Sequence, residues 1–261
     1  MLALIAGQGG LPGELVAAVE DRPLIAALDG FSPDAVQPDI VFRIEHLGSF
    51  IAELTARGVT EVCFAGAVRR PPIDQSAIDA ATLPLVPRIA AAIGQGDDAV
   101  LRTILQIFED AGFHVVGASA LAPALLPRAG LLVGGVPAAA QPDIARARAI
   151  HAAMGTVDTG QALVVHKGQA LALEGLFGTD WMLASLAARP DGRGGVLFKA
   201  PKAEQDRRVD LPTIGPDTVS AAAAAGLDGI VIEADGVLVL GRDQVVASAD
   251  SHGLFVLIDA P

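Results

Sequence analysis

Apolar positions in the first half of the chain fall into short runs separated by stretches with a helical repeat. Residues 1–6, 24–27, 40–44, 61–65 and 114–118 read as strands, and residues 12–20, 47–57, 85–93 and 97–111 between them read as helices. In the last of these helices Val100, Leu101, Ile104, Leu105, Ile107 and Phe108 recur at three- and four-residue spacing, which lines one helix face, and Gly112 supplies its stop. Strands that alternate with helices predict βαβ units and a parallel sheet.

From about residue 121 to 141 Ala, Pro and Gly crowd together without periodicity, as in Leu125-Leu126-Pro127-Arg128-Ala129-Gly130, which predicts a linker. It divides the chain into an N-terminal domain, 1–128, and a C-terminal domain, 129–261. Beyond it, residues 142–154 predict a helix, and residues 162–165 with 170–174 a hairpin turning at Lys167-Gly168. A helix over 181–188, a strand over 195–199, a charged loop, a helix over 216–225 and strands over 229–233, 237–240 and 254–258 follow. The expected fold class is α/β: a Rossmann-like parallel-sheet domain, then an α/β domain with a mixed sheet.

Composition narrows the setting. Hydrophobic residues make up 52% of the chain, yet no apolar run approaches the roughly 18 residues of a membrane span. The nearest, residues 221–240, is interrupted by Asp228, Glu233 and Asp235. No basic stretch precedes the first apolar run, so it reads as a strand and not a secretory signal, and a cytoplasmic protein is expected. The single cysteine, Cys63, has no intrachain partner, suits a reducing compartment and reads as a packing residue. A net charge of −12 argues against nucleic acid as a partner and against broad adhesion to an anionic membrane. An anionic ligand must then be held by local cations or by backbone amides.

Two places offer those. The first is Ala6-Gly7-Gln8-Gly9-Gly10-Leu11-Pro12-Gly13, which follows a strand and opens a helix, where glycines bring the backbone close to a phosphate and the helix contributes free N–H groups. Pro12 stands where the dinucleotide fingerprint has its third glycine or alanine. Asp29, near the end of the second strand, nevertheless sits where a dinucleotide fold places its ribose-binding carboxylate, so an NAD(P)-binding oxidoreductase stays open as the alternative.

The second is the stretch from Arg193 to Arg208, where Arg193, Lys199, Lys202, Arg207 and Arg208 are opposed by Glu204 and Asp206. Cationic groups of this kind stabilise charge on phosphoryl oxygens. Directly after it, Asp210 lies between a basic pair and a Pro212-Thr213-Ile214-Gly215-Pro216 turn. Magnesium binds through one or two carboxylates plus substrate phosphates and water, so Asp210 is the candidate metal ligand. Asp217 reads as a partner of the following helix dipole. Gly178-Thr179-Asp180 and Gly96-Asp97-Asp98 read first as helix N-caps, and the former is the better ligand prospect because Glu174 ends the preceding strand. Arg69 and Arg70 follow the fourth strand, at the sheet edge where ligands gather. His46, His114, His151, His166 and His252 lack the spacing of a dinuclear phosphoesterase, and there is no P-loop, nucleophile elbow or Cys-x-x-Cys pair.

Taken together, Leu4-Ile5-Ala6-Gly7-Gln8-Gly9-Gly10-Leu11-Pro12, Cys63-Phe64-Ala65-Gly66 with Arg70-Pro71, Gly96-Asp97-Asp98-Ala99, Glu174 with Gly178-Thr179-Asp180, Lys199-Ala200-Pro201-Lys202, Arg208-Val209-Asp210-Leu211-Pro212-Thr213-Ile214-Gly215 and Gly253-Leu254-Phe255-Val256-Leu257 carry a resemblance over the whole chain. The sequence resembles the UDP-2,3-diacylglucosamine pyrophosphatases that are unrelated to the calcineurin-like enzymes of the same step. The resemblance implies a magnesium-dependent two-domain hydrolase of lipid A biosynthesis with a lipid-accommodating cleft between its domains. It takes UDP-2,3-diacylglucosamine to UMP and lipid X, with Asp210 as the critical aspartate. Gly7, Gly9, Gly10, Leu11, Arg70, Glu174, Thr179, Asp180, Lys199, Lys202, Arg208 and Thr213 are the expected substrate-binding set. Transient contact with the inner-membrane surface is expected, and a homodimer is left open. Ala67 departs from the family, which carries a longer polar residue there, so no side-chain contact is carried over to that position.

Overall fold

The computed structural model describes residues 1–69, 71–94, 97–157, 159–190, 192–202 and 205–260. It divides into two compact units, Met1–Pro123 and Ala124–Pro261. No helix among the described residues is long and apolar enough to cross a membrane.

The first unit runs β1 (Leu2–Ala6), α1 (Leu11–Ala18), β2 (Leu24–Leu28), β3 (Ile40–Phe42), α2 (Leu47–Ala56), β4 (Glu61–Ala65), α3 (Val86–Ile93), α4 (Asp97–Asp110), β5 (His114–Val115) and α5 (Ala118–Leu121). Its strands form one all-parallel sheet in the order β3-β2-β1-β4-β5. Ala3, Leu4, Ile25, Ala26, Val62 and Cys63 are all buried, which is why these strands read as unbroken apolar runs and not as alternating ones. Phe108 on α4 lies edge-on to Phe64 of β4, ring centroids 5.2 Å apart, so the expected amphipathic face docks on the sheet. Connections leave β1 toward β2 on one side and return at β4 on the other, and the carboxyl ends of β1 and β4 form the switch point where open α/β sheets bind ligands.

Three boundaries differ from the expectation by two residues or more. The first helix spans Leu11–Ala18, because Val19 is already extended. The strand expected over 40–44 stops at Phe42, where the chain turns so that Glu45 can be buried against Arg43 and the Asp74 N–H. The strand expected over 114–118 keeps only His114–Val115 before α5 begins.

The second unit runs β6 (Gly130–Val133), α6 (Gln141–Gly155), β7 (Ala162–His166), β8 (Gln169–Leu173), α7 (Gly178–Ser185), β9 (Val196–Lys199), β10 (Thr213–Ile214), α8 (Pro216–Ala224), β11 (Gly229–Glu233), β12 (Leu238–Val239), α9 (Arg242–His252) and β13 (Phe255–Asp259). Its main sheet has the order β6-β13-β11-β9-β7-β8. Strands β9, β11 and β13 are parallel, while β6, β7 and β8 each run antiparallel to a neighbour, so the sheet is mixed as expected. The β7–β8 turn is as expected too. Lys167 and Gly168 both take positive φ, and the buried Asp143 in the first turn of α6 accepts both their N–H groups, at 3.0 and 2.7 Å.

Here four elements correct the sequence reading. The segment expected to be a linker contains β6, an edge strand whose residues are exposed or half-buried without alternation, so no period marked it. Residues 242–252 form α9, whose buried contacts are only Val245 and Ala249. The strand expected over 237–240 leaves the main sheet and pairs, as β12, with β10. Helix α7 opens at Gly178 and not at residue 181, which puts Thr179 and Asp180 inside its first turn.

Candidate active site

Sheet register gathers chemistry at one edge of the second unit. Lys199, the last residue of β9, lies opposite Ala162 at the start of β7 and Ile232 near the end of β11, while β8 delivers Glu174 beside the same end of β7. Glu174 is pinned there: its N–H donates to Ala162 O at 2.9 Å, and its Oε2 accepts from the Gln161 N–H at 3.1 Å. A Cβ at residue 160 would stand 2.6 Å from the Glu174 Cβ, so Gly160 is required by that close approach.

Lys199 is only 8% exposed, and its Nζ donates to Thr179 Oγ1 at 2.9 Å, Thr179 being 8% exposed as well. Burial pushes the Lys199 ammonium below its ordinary range, and the Glu174 and Asp180 carboxylates act against that fall. Four residues singled out in the sequence, Glu174, Thr179, Asp180 and Lys199, thus occupy one spot, with the first turn of α7 facing the end of β9.

The chain then enters the loop that carries Asp210. His151 of α6 packs on Phe198, ring centroids 5.5 Å apart, and its Nε2 hydrogen-bonds Ala200 O at 2.9 Å. Burial pushes the imidazole down and favours its neutral form. Further along, the Lys202 N–H donates to Gln205 Oε1 at 3.0 Å, and Gln205 Nε2 donates to Asp210 Oδ2. The Asp210 N–H donates to Asp206 O at 3.1 Å, leaving its side chain half-buried. Beyond it, Leu238 N–H to Pro212 O and Leu240 N–H to Ile214 O, both 2.9 Å, staple Thr213 and its neighbours to β12.

Two arginines of the basic stretch are engaged within the unit, Arg208 with Asp206 at 2.7 Å and Arg207 with Glu233 at 3.2 Å. Arg193 precedes β9, at the opposite end of that strand from Lys199, and lines a cavity with Gly226, Asp228 and His252. The basic residues are therefore not one patch. Among the described residues no group of three or more His, Cys, Asp or Glu could hold a metal ion. A single carboxylate such as Asp210 suits a cation completed by substrate phosphates and water, not an all-protein cage.

In the first unit the glycine loop meets the turn after β4. Gly7 N–H donates to Ala65 O at 2.8 Å, while Gln8 and Ala67 exchange backbone hydrogen bonds of 3.0 and 2.8 Å. A Cβ on Gly7 would lie 2.6 Å from Ala67 O, and one on Gly66, at φ +95°, 2.6 Å from Gly7 O. These glycines serve loop-to-loop contact, and Ala67 takes part through its backbone, which any residue supplies. The Gly9 N–H donates to Asp34 Oδ2 at 3.0 Å, Gly10 is the N-cap of α1, and Leu11 is its first residue. Asp29 donates its own N–H to Phe42 O at 2.8 Å. Arg70 and Gly96 lie outside the described residues. Cys63 is fully buried, and burial pushes its thiol up to about 12.

Sequence reasoning missed Gln205, Gln161 and Asp34, since neutral amides and a lone loop aspartate carry no motif. Comparison with known proteins extends over both units. Residues 1–125 match the family model described as the LpxI N-terminal domain, and residues 128–257 that of the LpxI C-terminal domain. The chain is also 41% identical over 271 residues, covering 98% of it and 96% of its relative, to UDP-2,3-diacylglucosamine pyrophosphatase LpxI of Caulobacter vibrioides. With each unit matching its own family model and nearly every residue aligned to that relative, the protein belongs to the LpxI family.

Proposed function

We propose that this chain hydrolyses UDP-2,3-diacylglucosamine to UMP and 2,3-diacylglucosamine 1-phosphate, lipid X, in a magnesium-dependent step of lipid A biosynthesis. In this reaction water adds to one phosphorus and the bridging oxygen leaves with the other phosphate. The observation that carries the reading is the Asp210 carboxylate, clamped by Gln205 on a stapled loop that follows the buried Lys199. It joins the family membership and the relative's name, that of a pyrophosphatase.

Asp210 is the residue that would hold magnesium together with diphosphate oxygens, and magnesium bound there neutralises charge on the phosphoryl group. Lys199 acts from a site poor in water, where a cation is worth more to a phosphoryl oxygen than it is in solvent. Lys202 and Arg208 flank the diphosphate from the same loop and Thr213 from β10, and Glu174, Thr179 and Asp180 offer acceptors to sugar hydroxyls. Leu176, Phe177 and Trp181, 90%, 69% and 60% exposed, adjoin those three residues and give the acyl chains apolar surface. The chain is placed in the cytoplasm, in transient contact with the inner-membrane surface that supplies its substrate. The segment from Gly7 to Leu11 takes a polar part of the nucleotide by displacing Asp34 from the Gly9 N–H. The oxidoreductase alternative gains no support, because both units match LpxI family models and the relative is named a pyrophosphatase.

Purified protein supplied with UDP-2,3-diacylglucosamine and Mg²⁺ is expected to release UMP. Asp210→Ala is expected to lower the rate on the order of 10³-fold with an unchanged circular dichroism spectrum. Full activity in that variant would remove Asp210 from the mechanism.

A further inference from the structure

Gln205 is a glutamine in a charged loop, a residue type that is mostly exposed, yet here it is 8% exposed. Burying a carboxamide is costly unless its polar atoms are matched, and both ends of this one are. Its Oε1 accepts the Lys202 N–H at 3.0 Å and its Nε2 donates to Asp210 Oδ2. The orientation of the amide follows from its partners. A backbone N–H can be received only by the carbonyl oxygen, and an ionised carboxylate can only accept, so an exchange of O and N would break both contacts.

We infer that Gln205 is a positioning residue that sets the plane of the Asp210 carboxylate for the reaction. The terminal torsion of an aspartate is broad when nothing holds it. Fixing one oxygen fixes the direction of the other, and Gln205 is itself fixed by the strap after β9, since its N–H donates to Lys202 O at 3.2 Å. The geometry ties Asp210 to the backbone that follows Lys199, so the carboxylate and the buried amine are referred to one frame. The inference rests on the proposed role of Asp210.

Gln205→Glu tests it, because the variant keeps the shape and the acceptor for the Lys202 N–H but loses the donor to Asp210. Expected is a fall in kcat of about 10- to 100-fold, the usual effect of removing such an outer partner, with KM for UDP-2,3-diacylglucosamine within about threefold. A staple that merely held the loop would loosen Lys202 and Arg208 as well, so a raised KM with kcat unchanged overturns the inference. So does full activity in folded Gln205→Glu. Should Gln205→Glu not fold, Gln205→Asn serves: its shorter amide cannot span both partners, the same loss of kcat is expected, and full activity again overturns the inference. Asp210→Ala, assayed alongside, separates the two readings. If it is inactive while the Gln205 variants are normal, only the present inference fails; if it is active, the role of Asp210 falls first.

Discussion

Lys199 is held where a cation is costly, with the Thr179 hydroxyl as its hydrogen-bond partner and carboxylates acting only through the field. Burying a charge is costly unless it is ion-paired, and removing an ammonium whose hydrogen-bond partner is a hydroxyl relieves that cost. Lys199→Met is therefore expected to match the parent in stability or exceed it by about 1 kcal/mol. Its hydrolysis should fall roughly 10²- to 10³-fold, the scale for losing one preorganised charge partner. Urea unfolding together with UMP release tests both halves, and a variant that is active and destabilised would mean the lysine serves the fold. The basic stretch and the aspartate beyond it were legible in the sequence because charge is written in residue type. Which of those cations is buried and which is engaged by a carboxylate was not, because that depends on where β9 ends and on what α7 places opposite it.

At the scale of elements, short polar hinges decide where strands stop. Glu45 closes the connection from β3 to α2: the Arg43 guanidinium, then the Asp74 N–H, hold its carboxyl down at about 2, against 4.5 ordinarily. A carboxyl whose folded value lies below its unfolded value contributes stability above the unfolded value and loses it as pH falls toward the folded one. Glu45→Gln is thus expected to melt a few degrees, roughly, below the parent at neutral pH. The gap should close as pH falls from about 4.5 to about 2. Thermal melts over that range check it, and a gap independent of pH would show that the ion pair is not its source. Such hinges were invisible to periodicity, which measures apolar spacing. For the same reason α4 was legible and α9 was not: one shows a full apolar face, the other only Val245 and Ala249.

For the whole molecule, the donor set bears on how metal and fold are related. Structural metals are held by several protein ligands whose removal unfolds the protein, and among the described residues no three such donors converge. Treatment with EDTA is therefore expected to abolish UMP release, and added Mg²⁺ to restore it. The thermal midpoint should move by no more than about 2 °C, since little binding energy is linked to folding. A large loss of stability on chelation would instead indicate a metal built into the fold.

The sequence by itself determined that the chain is α/β, that a parallel sheet precedes a mixed one, and where its charged side chains lie along the chain. Apolar period, turn residues and ionisable side chains are local properties, and a chain displays them before it folds. Tertiary structure alone decided that Lys199 is buried on Thr179, that Asp34 occupies the Gly9 amide, and that Gln205 grips Asp210. Hydrogen bonds to loop groups depend on which backbone ends the sheet register brings together, and residue spacing does not encode that register.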